Sequence, residues 1–296
     1  MYDWYQMKNF IILIPVYNDW ESLIKLLDKI NLSLKKIENC NFKCLIINDC
    51  SSIDSPKISV PNSLQSIEII NMKKNQGHAR CIAFGIMELS KKNNFDYLIL
   101  MDGDGEDRPE EINLLVEKAL LNQKNSVVAK RVKRSEGVLF KMLYQIHKIV
   151  TLIFTGKKIN FGNYSCLKKS HVKVLSSKAS LWSSFSGTLK KFIINLSDID
   201  SSRGIRYFGP SKMSILKLIL HSFSIIAVFK TSVLIRSTIA IMLLSFLPIK
   251  FQAIGIFIQI LLIFFNLIIF IISFRESEKN LSEAFSNEKS REIYTS

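Results

Sequence analysis

From residue 8 to 130 the chain alternates short, nearly continuous apolar runs with stretches whose apolar residues recur at helical spacing. The runs are "NFIILIP" (9–15), "FKCLIIND" (42–49), "SIEIINM" (66–72), "DYLILMD" (96–102) and "SVVAK" (126–130). Runs of this kind, with little polar alternation, are strands covered on both faces, as in a parallel sheet. Leu23, Leu26, Leu27, Ile30 and Leu34 predict a helix over 20–37, with Asp19 as its cap. A second helix is predicted over 109–121, where Pro109 suits the first helical position and Glu110 and Glu111 suit the positive end of the helix dipole. The alternation predicts an α/β fold: a doubly wound, mostly parallel sheet with helices on both faces.

The pattern changes after residue 130. Residues 131–213 are less regular and more basic, whereas 214–275 are strongly apolar. "FQAIGIFIQILLIFFNLIIFIISF" (251–274) runs 24 residues without a charge. At about 1.5 Å per residue it exceeds the roughly 30 Å of a bilayer's hydrocarbon core. The stretch 232–247 is apolar apart from Arg236, which can snorkel, and Pro248 and Lys250 form a short turn between the two. A transmembrane hairpin is therefore predicted over 232–275. Ahead of it, 214–231 mixes apolar residues with His221 and lysines; this suits an amphipathic helix in the membrane surface, with an ordinary packed helix as the alternative. Lys212, Lys217, Lys230 and Arg236 precede the hairpin, Arg275 and Lys279 follow it, and only Lys250 sits in the turn. That bias predicts two spans with both termini cytoplasmic. The polar tail, 276–296, is predicted to be a charged cytoplasmic extension without fixed structure. Near the start, the apolar run 10–14 is too short for the core of a signal peptide.

Lys and Arg number 40 against 25 Asp and Glu, a net charge of +15. No aromatic–basic nucleic-acid pattern accompanies it, and attraction to anionic headgroups accounts for the excess. The cysteines (Cys40, Cys44, Cys50, Cys81, Cys166) are scattered, which fits free thiols rather than a zinc site or a disulfide framework.

Against that basic background, Asp102, Asp104, Glu106, Asp107, Glu110 and Glu111 gather at the end of a buried run. In doubly wound sheets ligands bind beyond the carboxyl ends of the strands. An Asp-x-Asp there, with Gly103 and Gly105 allowing a sharp turn, can hold Mg2+ or Mn2+ against a diphosphate. An EF-hand is excluded, because Asp107 and Asn113 stand where that loop needs Gly and Glu.

Four segments together resemble the family-two glycosyltransferases, whose nucleotide-sugar-binding fold is called GT-A. "PVYND" (15–19) is similar to the family's Pro-x-Tyr-Asn-Glu start. "NDCSS" (48–52) is similar to its Asp-Asp-Gly-Ser segment, with Asn48 replacing the first acid. "NQGHARCIAFG" (75–85) resembles its Asn-x-Gly-x-x-x-Ala segment, and "DGDGEDRPE" (102–110) its metal and sugar-nucleotide motif. The resemblance implies nucleotide-sugar contacts from Pro15, Tyr17, Asp19, Asp49, Gly77, Arg80 and Asp102, and a divalent cation on Asp102 and Asp104. "AKRVKRSEG" (129–137) resembles a Gly-x-Arg-Arg segment and implies that Arg131 contacts phosphate in the catalytic centre. A finer resemblance is to the dolichol-phosphate-mannose-synthase-like and bacterial polyprenyl-phosphate branch. "RGIRYFGPSKMS" (203–214) is similar to that branch's basic segment before its membrane hairpin. Arg203, Arg206, Ser211 and Lys212 are implied to face donor or acceptor phosphates. Residues 1–213 are then the nucleotide-sugar-binding catalytic domain.

The branch carries an Asp where this chain has Asn163. An acceptor hydroxyl needs a base, whereas a lipid phosphate arrives already ionised. The resemblance therefore implies an inverting transfer to a polyprenyl phosphate. The runner-up is transfer to a saccharide hydroxyl, in which Asp104, Glu106 or Asp107 doubles as base; a degenerate scaffold is the third reading. His78 suits a phosphate contact and a surface cap equally, and Trp182 suits an acceptor path or an interfacial anchor. Two spans per chain are compatible with a lone hairpin or a homo-oligomer.

Overall fold

A computed structural model describes residues 6–133, 138–210 and 214–295. Ser211 and Lys212 lie outside these residues. Strands β1 (Lys8–Val16), β2 (Cys40–Asn48), β3 (Ser66–Met72), β4 (Tyr97–Leu100) and β5 (Ser126–Lys133) form where the apolar runs predict them. β6 (Phe161–Lys168), β7 (Leu196–Ser202) and β8 (Glu288–Thr295) complete one sheet in the order β7-β5-β6-β4-β1-β2-β3-β8. The central pairs β4–β1, β1–β2 and β2–β3 are parallel, as is β5–β7. β6 runs antiparallel to both its neighbours, and β8 runs antiparallel to β3. The sheet is thus mixed around a parallel centre.

Alternation along β1 feeds two cores. Phe10, Ile12 and Ile14 face α1 (Trp20–Leu34) and α3 (Ile112–Leu121), while Ile11 and Leu13 join the layer of α2 (His78–Lys91), α5 (Lys169–Ser176) and α6 (Phe185–Phe192). Both faces are covered, which is why the sequence reads as unbroken apolar runs rather than as an alternating pattern. Asp19 stands at the start of α1 but makes no capping hydrogen bond with its side chain.

The less regular region holds a long helix that the sequence reading did not identify, α4 (Val138–Thr155). It packs with α7 (Ile215–Ala227), α8 (Lys230–Leu244) and α9 (Gln252–Ser273) around Val233, Ile269 and Phe265. Arg236 on α8 reaches the end of α4. Its Nη1 donates to the carbonyl oxygen of Ile153 at 3.1 Å, satisfying an acceptor that the C-terminus of α4 leaves open.

α8 and α9 lie side by side, and Gln259 Nε2 donates to the Ile241 carbonyl and to Ser245 Oγ, both at 2.9 Å. α9, at 22 residues and about 33 Å, is long and apolar enough to cross a membrane. α8, at 15 residues and about 22 Å, is shorter than the predicted span, and α7 and α8 pass the same test only as a pair bent by 87°. The predicted two-span hairpin thus has one leg of full length.

The tail differs most from expectation. After α9 it forms α10 (Glu278–Ser282), a 3-10 turn over Ala284–Asn287, and β8 at the sheet edge. Leu281 and Ala284 are buried in the same core as Trp182, and Phe285 packs on Phe84 with ring centroids 5.3 Å apart. Arg291 pairs with Glu68 at 2.7 Å and with Glu88 at 2.8 Å. Charge in the tail therefore marks an edge strand rather than disorder. Leu281→Ala should lower stability by roughly 2–3 kcal/mol, the usual cost of a core cavity, as read by thermal unfolding of the full chain. An unstructured tail would leave the midpoint unchanged.

Candidate active site

Three strand ends and one helix start meet at the carboxyl rim of the sheet. β1 gives way to Tyr17, Asn18 and Asp19, β2 to Asp49–Ser52, and β4 to the acidic loop 102–107, while α2 begins behind Gly77. Asn18, at a φ of 49°, ties the first two loops together: its Oδ1 accepts the backbone N–H groups of Ser52 at 2.8 Å and Ile53 at 3.2 Å. Pro15 lends its carbonyl to a tight contact. A Cβ on Gly103 would lie 3.1 Å from that oxygen, so glycine lets the β4 loop lie against β1. Tyr17 is exposed on the rim.

Asp49 is buried, and its two carboxylate oxygens accept the N–H groups of Gln76 and Gly77, each at 2.8 Å. Burial raises its pKa above the ordinary carboxylate value, although these hydrogen bonds pull the other way. Asp49 therefore fastens the loop before α2. Gly77, at a φ of 91°, makes the turn into α2 in a conformation that L side chains rarely adopt. Arg80, in the first turn of α2, lines a cavity of about 380 Å³ together with Gln76, the buried Trp182 and the tail.

The acidic loop is held by partners from several elements. Asp107 is buried, accepts the Asp102 N–H at 2.9 Å and has the Arg131 guanidinium 3.9 Å away. Arg131 itself rests on Gly162, where a Cβ would come within 2.6 Å of the guanidinium. Asp102 Oδ1 meets His78 Nε2 at 3.1 Å and Asn163 Nδ2 at 3.2 Å. Burial alone would raise Asp102, but the charge and hydrogen bond of His78, then Arg131 and Asn163, hold it well below the usual carboxylate range. Burial likewise works to lower His78, but the charge and hydrogen bond of Asp102 outweigh it and raise the imidazole.

The segment 203–210 lies along this loop as a strap. Gly204 N–H donates to the Glu106 carbonyl at 2.8 Å and Tyr207 N–H to the Asp104 carbonyl at 3.0 Å. Arg206 bridges two acids, reaching Asp104 Oδ2 with Nη1 at 2.8 Å and Asp19 with Nη2, while Arg203 pairs with Glu106. Gly105, at a φ of 87°, faces the Tyr207 ring so closely that a Cβ would lie 2.5 Å from it. Glu111 has a role the sequence did not disclose: buried, it accepts Ser201 Oγ at 2.6 Å and Ser202 N–H at 3.1 Å, fixing the end of β7 just before the strap.

The rim thus brings together Asp19, Asp102, Asp104, Asp107, Arg131, Arg203 and Arg206. Asn18 and Asn163 join them as hydrogen-bonding partners, and a left-handed Asn after a strand was the available signal for the first. Among the described residues no set of three or more His, Cys, Asp or Glu side chains is arranged to hold a metal ion. Asp104 and Asp107 carry the electrostatic load. Burial, then the charges of Asp102 and Glu106, pushes Asp104 up to about 6, and burial, then Asp102, pushes Asp107 up to about 7. A carboxyl raised in the folded state stabilises the fold while protonated, and that contribution is lost as pH climbs from the ordinary value of 3.8 to about 7. In EDTA, Asp107→Asn should therefore melt above the wild-type chain at pH 8 and level with it at pH 4. Equal melting at both pH values would refute this account of the site.

The profile of Glycosyl transferase family 2 matches residues 11–185. An undecaprenyl-phosphate 4-deoxy-4-formamido-L-arabinose transferase of Photorhabdus laumondii is 28% identical over 235 residues, covering 77% of this chain and 70% of that protein. A transferase of the same name from Salmonella choleraesuis is 27% identical over 240 residues, covering 78% and 71%. Among solved structures, mannosyl-3-phosphoglycerate synthase of Rubrobacter xylanophilus superposes with a TM-score of 0.55 at 11% identity, covering 75% of this chain and 72% of that one. Glucosyl-3-phosphoglycerate synthase of Mycobacterium tuberculosis, crystallised with Mn2+, UDP and phosphoglyceric acid, gives 0.52 at 10% identity, covering 76% and 78%. These two share the GT-A-like sheet. With its profile match and its rim of strand-end acids, the chain belongs to Glycosyl transferase family 2 and is a glycosyltransferase.

Proposed function

We propose that the protein transfers a sugar, with inversion, from a nucleotide-sugar to the phosphate of a polyprenyl phosphate at a membrane surface. The observation that carries the acceptor assignment is Asn163. In the sequence it stands where the branch carries an Asp, and its amide nitrogen donates to Asp102 Oδ1 at 3.2 Å. An amide cannot take a proton from a hydroxyl, and a phosphate acceptor presents none that must leave. The acids considered as alternative bases also have partners, Glu106 through Arg203. Asp107 is buried against the Asp102 backbone, and Asp104 has its oxygens on the Glu106 N–H and Arg206. The names of the curated relatives, which specify undecaprenyl phosphate, support the same acceptor.

Asp102 and Asp104 are the residues that would hold Mg2+ or Mn2+; burial, then the charge of Asp102, raises Asp104, and a divalent cation between the two would offset that charge. Two carboxylates suffice for an ion that takes its remaining ligands from substrate phosphates and water. A bound ion would supply positive charge to stabilise the leaving nucleoside diphosphate. Arg131, Arg203 and Arg206 orient phosphates by paired hydrogen bonds, with Arg206 exchanging a carboxylate for a phosphate oxygen. Ser211 and Lys212, outside the described residues, continue the same basic segment in the sequence and would face the same phosphates.

Membrane attachment rests on α7, α8 and α9, whose exposed residues include Leu216, Met242, Leu243, Phe257, Ile260 and Phe264. β7 before them and β8 after them belong to one sheet. A chain that leaves that sheet into a bilayer must return to it, so the number of crossings is even. This parity supports two crossings over 232–275, α7 in the interface over 214–231, and 1–213 and 276–296 together on the cytoplasmic side.

The full chain in nanodiscs, given labelled nucleotide-sugars, undecaprenyl phosphate and Mn2+, should form a lipid-linked sugar that mild acid releases. Asp104→Asn should cut that transfer by about 100-fold or more, the usual loss when charge stabilisation of a leaving group is removed. Label appearing only in an acid-stable saccharide would replace this reading with the hydroxyl acceptor.

A further inference from the structure

The tail beyond α9 reaches the rim through two hydrogen-bond chains. The first starts at Asn287, buried where the 3-10 turn meets β8. Its side-chain Oδ1 accepts Lys74 N–H at 3.0 Å, its Nδ2 donates to the Lys74 carbonyl at 3.0 Å, and its own carbonyl accepts Lys73 N–H at 2.7 Å. The β3–β8 ladder ends at Met72–Glu288 after an irregularity. The Asn287 amide therefore supplies the next rung by imitating a peptide group. Just beyond Lys74, Gln76 and Gly77 donate to Asp49, so the clamp and Asp49 grip the same short loop from its two ends.

The second chain explains a departure from the family pattern. Asn71, at the end of β3, donates through Nδ2 to Glu292 Oε1 at 2.9 Å and Ser290 Oγ at 3.1 Å, both on β8. Its Oδ1 accepts Asn48 Nδ2 at 2.8 Å, and Asn48 Oδ1 accepts Ser51 N–H at 3.0 Å. Asn48 stands where the family carries an acid. A carboxylate there has no hydrogen to give Asn71, so the amide at 48 matches a neighbour that is itself oriented by the tail. The tail also walls the cavity of about 380 Å³ beside the loop, with Asn280, Glu283 and Ser286 facing Gln76 and Arg80.

We propose that residues 277–295, on the far side of the apolar helices, are a working part of the donor-nucleotide site. Asn287 is the positioning residue that sets the loop 73–77, and β8 sets the turn 48–51 through Asn71. The inference rests on the reading of this rim as a nucleotide-sugar site. The loop has no regular structure of its own, and its residues Lys73, Lys74 and Asn75 are exposed. Without the clamp, ordering it would have to be driven by the donor, and that ordering cost would appear as weaker binding.

The test uses the full chain in nanodiscs as wild type, Asn287→Ala and Asn287→Asp. Amide hydrogen exchange reads the loop, and calorimetric titration with uridine, guanosine and cytidine diphosphates plus Mn2+ reads the site. In Asn287→Ala the Gln76 and Gly77 amides should exchange roughly tenfold faster while the β8 amides keep their protection. The diphosphate that the wild type binds should bind roughly tenfold more weakly, and donor KM should rise with kcat little changed. Asn287→Asp, which keeps the acceptor for Lys74 N–H and loses only the donor, should fall between. Unchanged exchange at 76–77 overturns the clamp. Faster exchange with unaltered affinity overturns its role in donor binding. If the wild type binds none of the three diphosphates while Asn287→Ala still speeds exchange, the nucleotide reading of the rim has failed, and the role in donor binding falls with it.

Discussion

Like charge crowded at the end of β4 is the constraint around which the rest of the molecule is arranged. Asp102, Asp104, Glu106 and Asp107 sit within six consecutive residues and are largely withdrawn from water. Each is answered from elsewhere in the chain: Asp102 by His78 and Asn163, Asp104 by Arg206, Glu106 by Arg203, Asp107 by Arg131. Those partners come from the start of α2, from β6, from the strap after β7 and from β5. Removing one leaves a charge without compensation in a low-dielectric place, which costs far more than the pair contributes while intact. The mixed side of the sheet is therefore as necessary to the acidic loop as the parallel side that carries it.

The parallel centre was legible because its strands are buried on both faces and leave unbroken apolar runs. The Asp-x-Asp was legible because it ends one of them. What could not be read is the interior antiparallel strand β6 and the two margins of the sheet. β7, "LSDIDSS", and β8, "EKSREIYT", are half-exposed edge strands, and a polar edge strand resembles a loop. α4 hid for a different reason: its apolar residues Met142, Ile146, Ile149 and Ile153 face outward, and the region was judged by its charge. Ion pairs across long separations, such as Arg206 with Asp19, leave no local trace. The hydrogen bonds of Asp49 to the N–H groups of Gln76 and Gly77, 27 and 28 residues further on, leave no local trace either.

The apolar helices and the acidic rim are joined at both ends. The strap that holds Asp104 and Glu106 lies just before α7, and the tail that holds Lys73 and Lys74 follows α9. Displacing the helical module relative to the sheet would pull on two loops of the rim at once. Arg236 on α8 and the shared cluster of Val233, Ile269 and Phe265 keep α4 in the same unit, so the module is braced against the domain by a third segment.

The place of β8 in the sheet also fixes an order of events during synthesis. β3 is made by residue 72, yet the strand that covers its outer edge is not complete until residue 295, after all the apolar helices. Until then β3 presents an open row of backbone donors and acceptors, the kind of edge that recruits strands from other chains. The nascent domain therefore passes through a stage with its parallel centre formed and one flank unsealed, until β8 has been made and closes it.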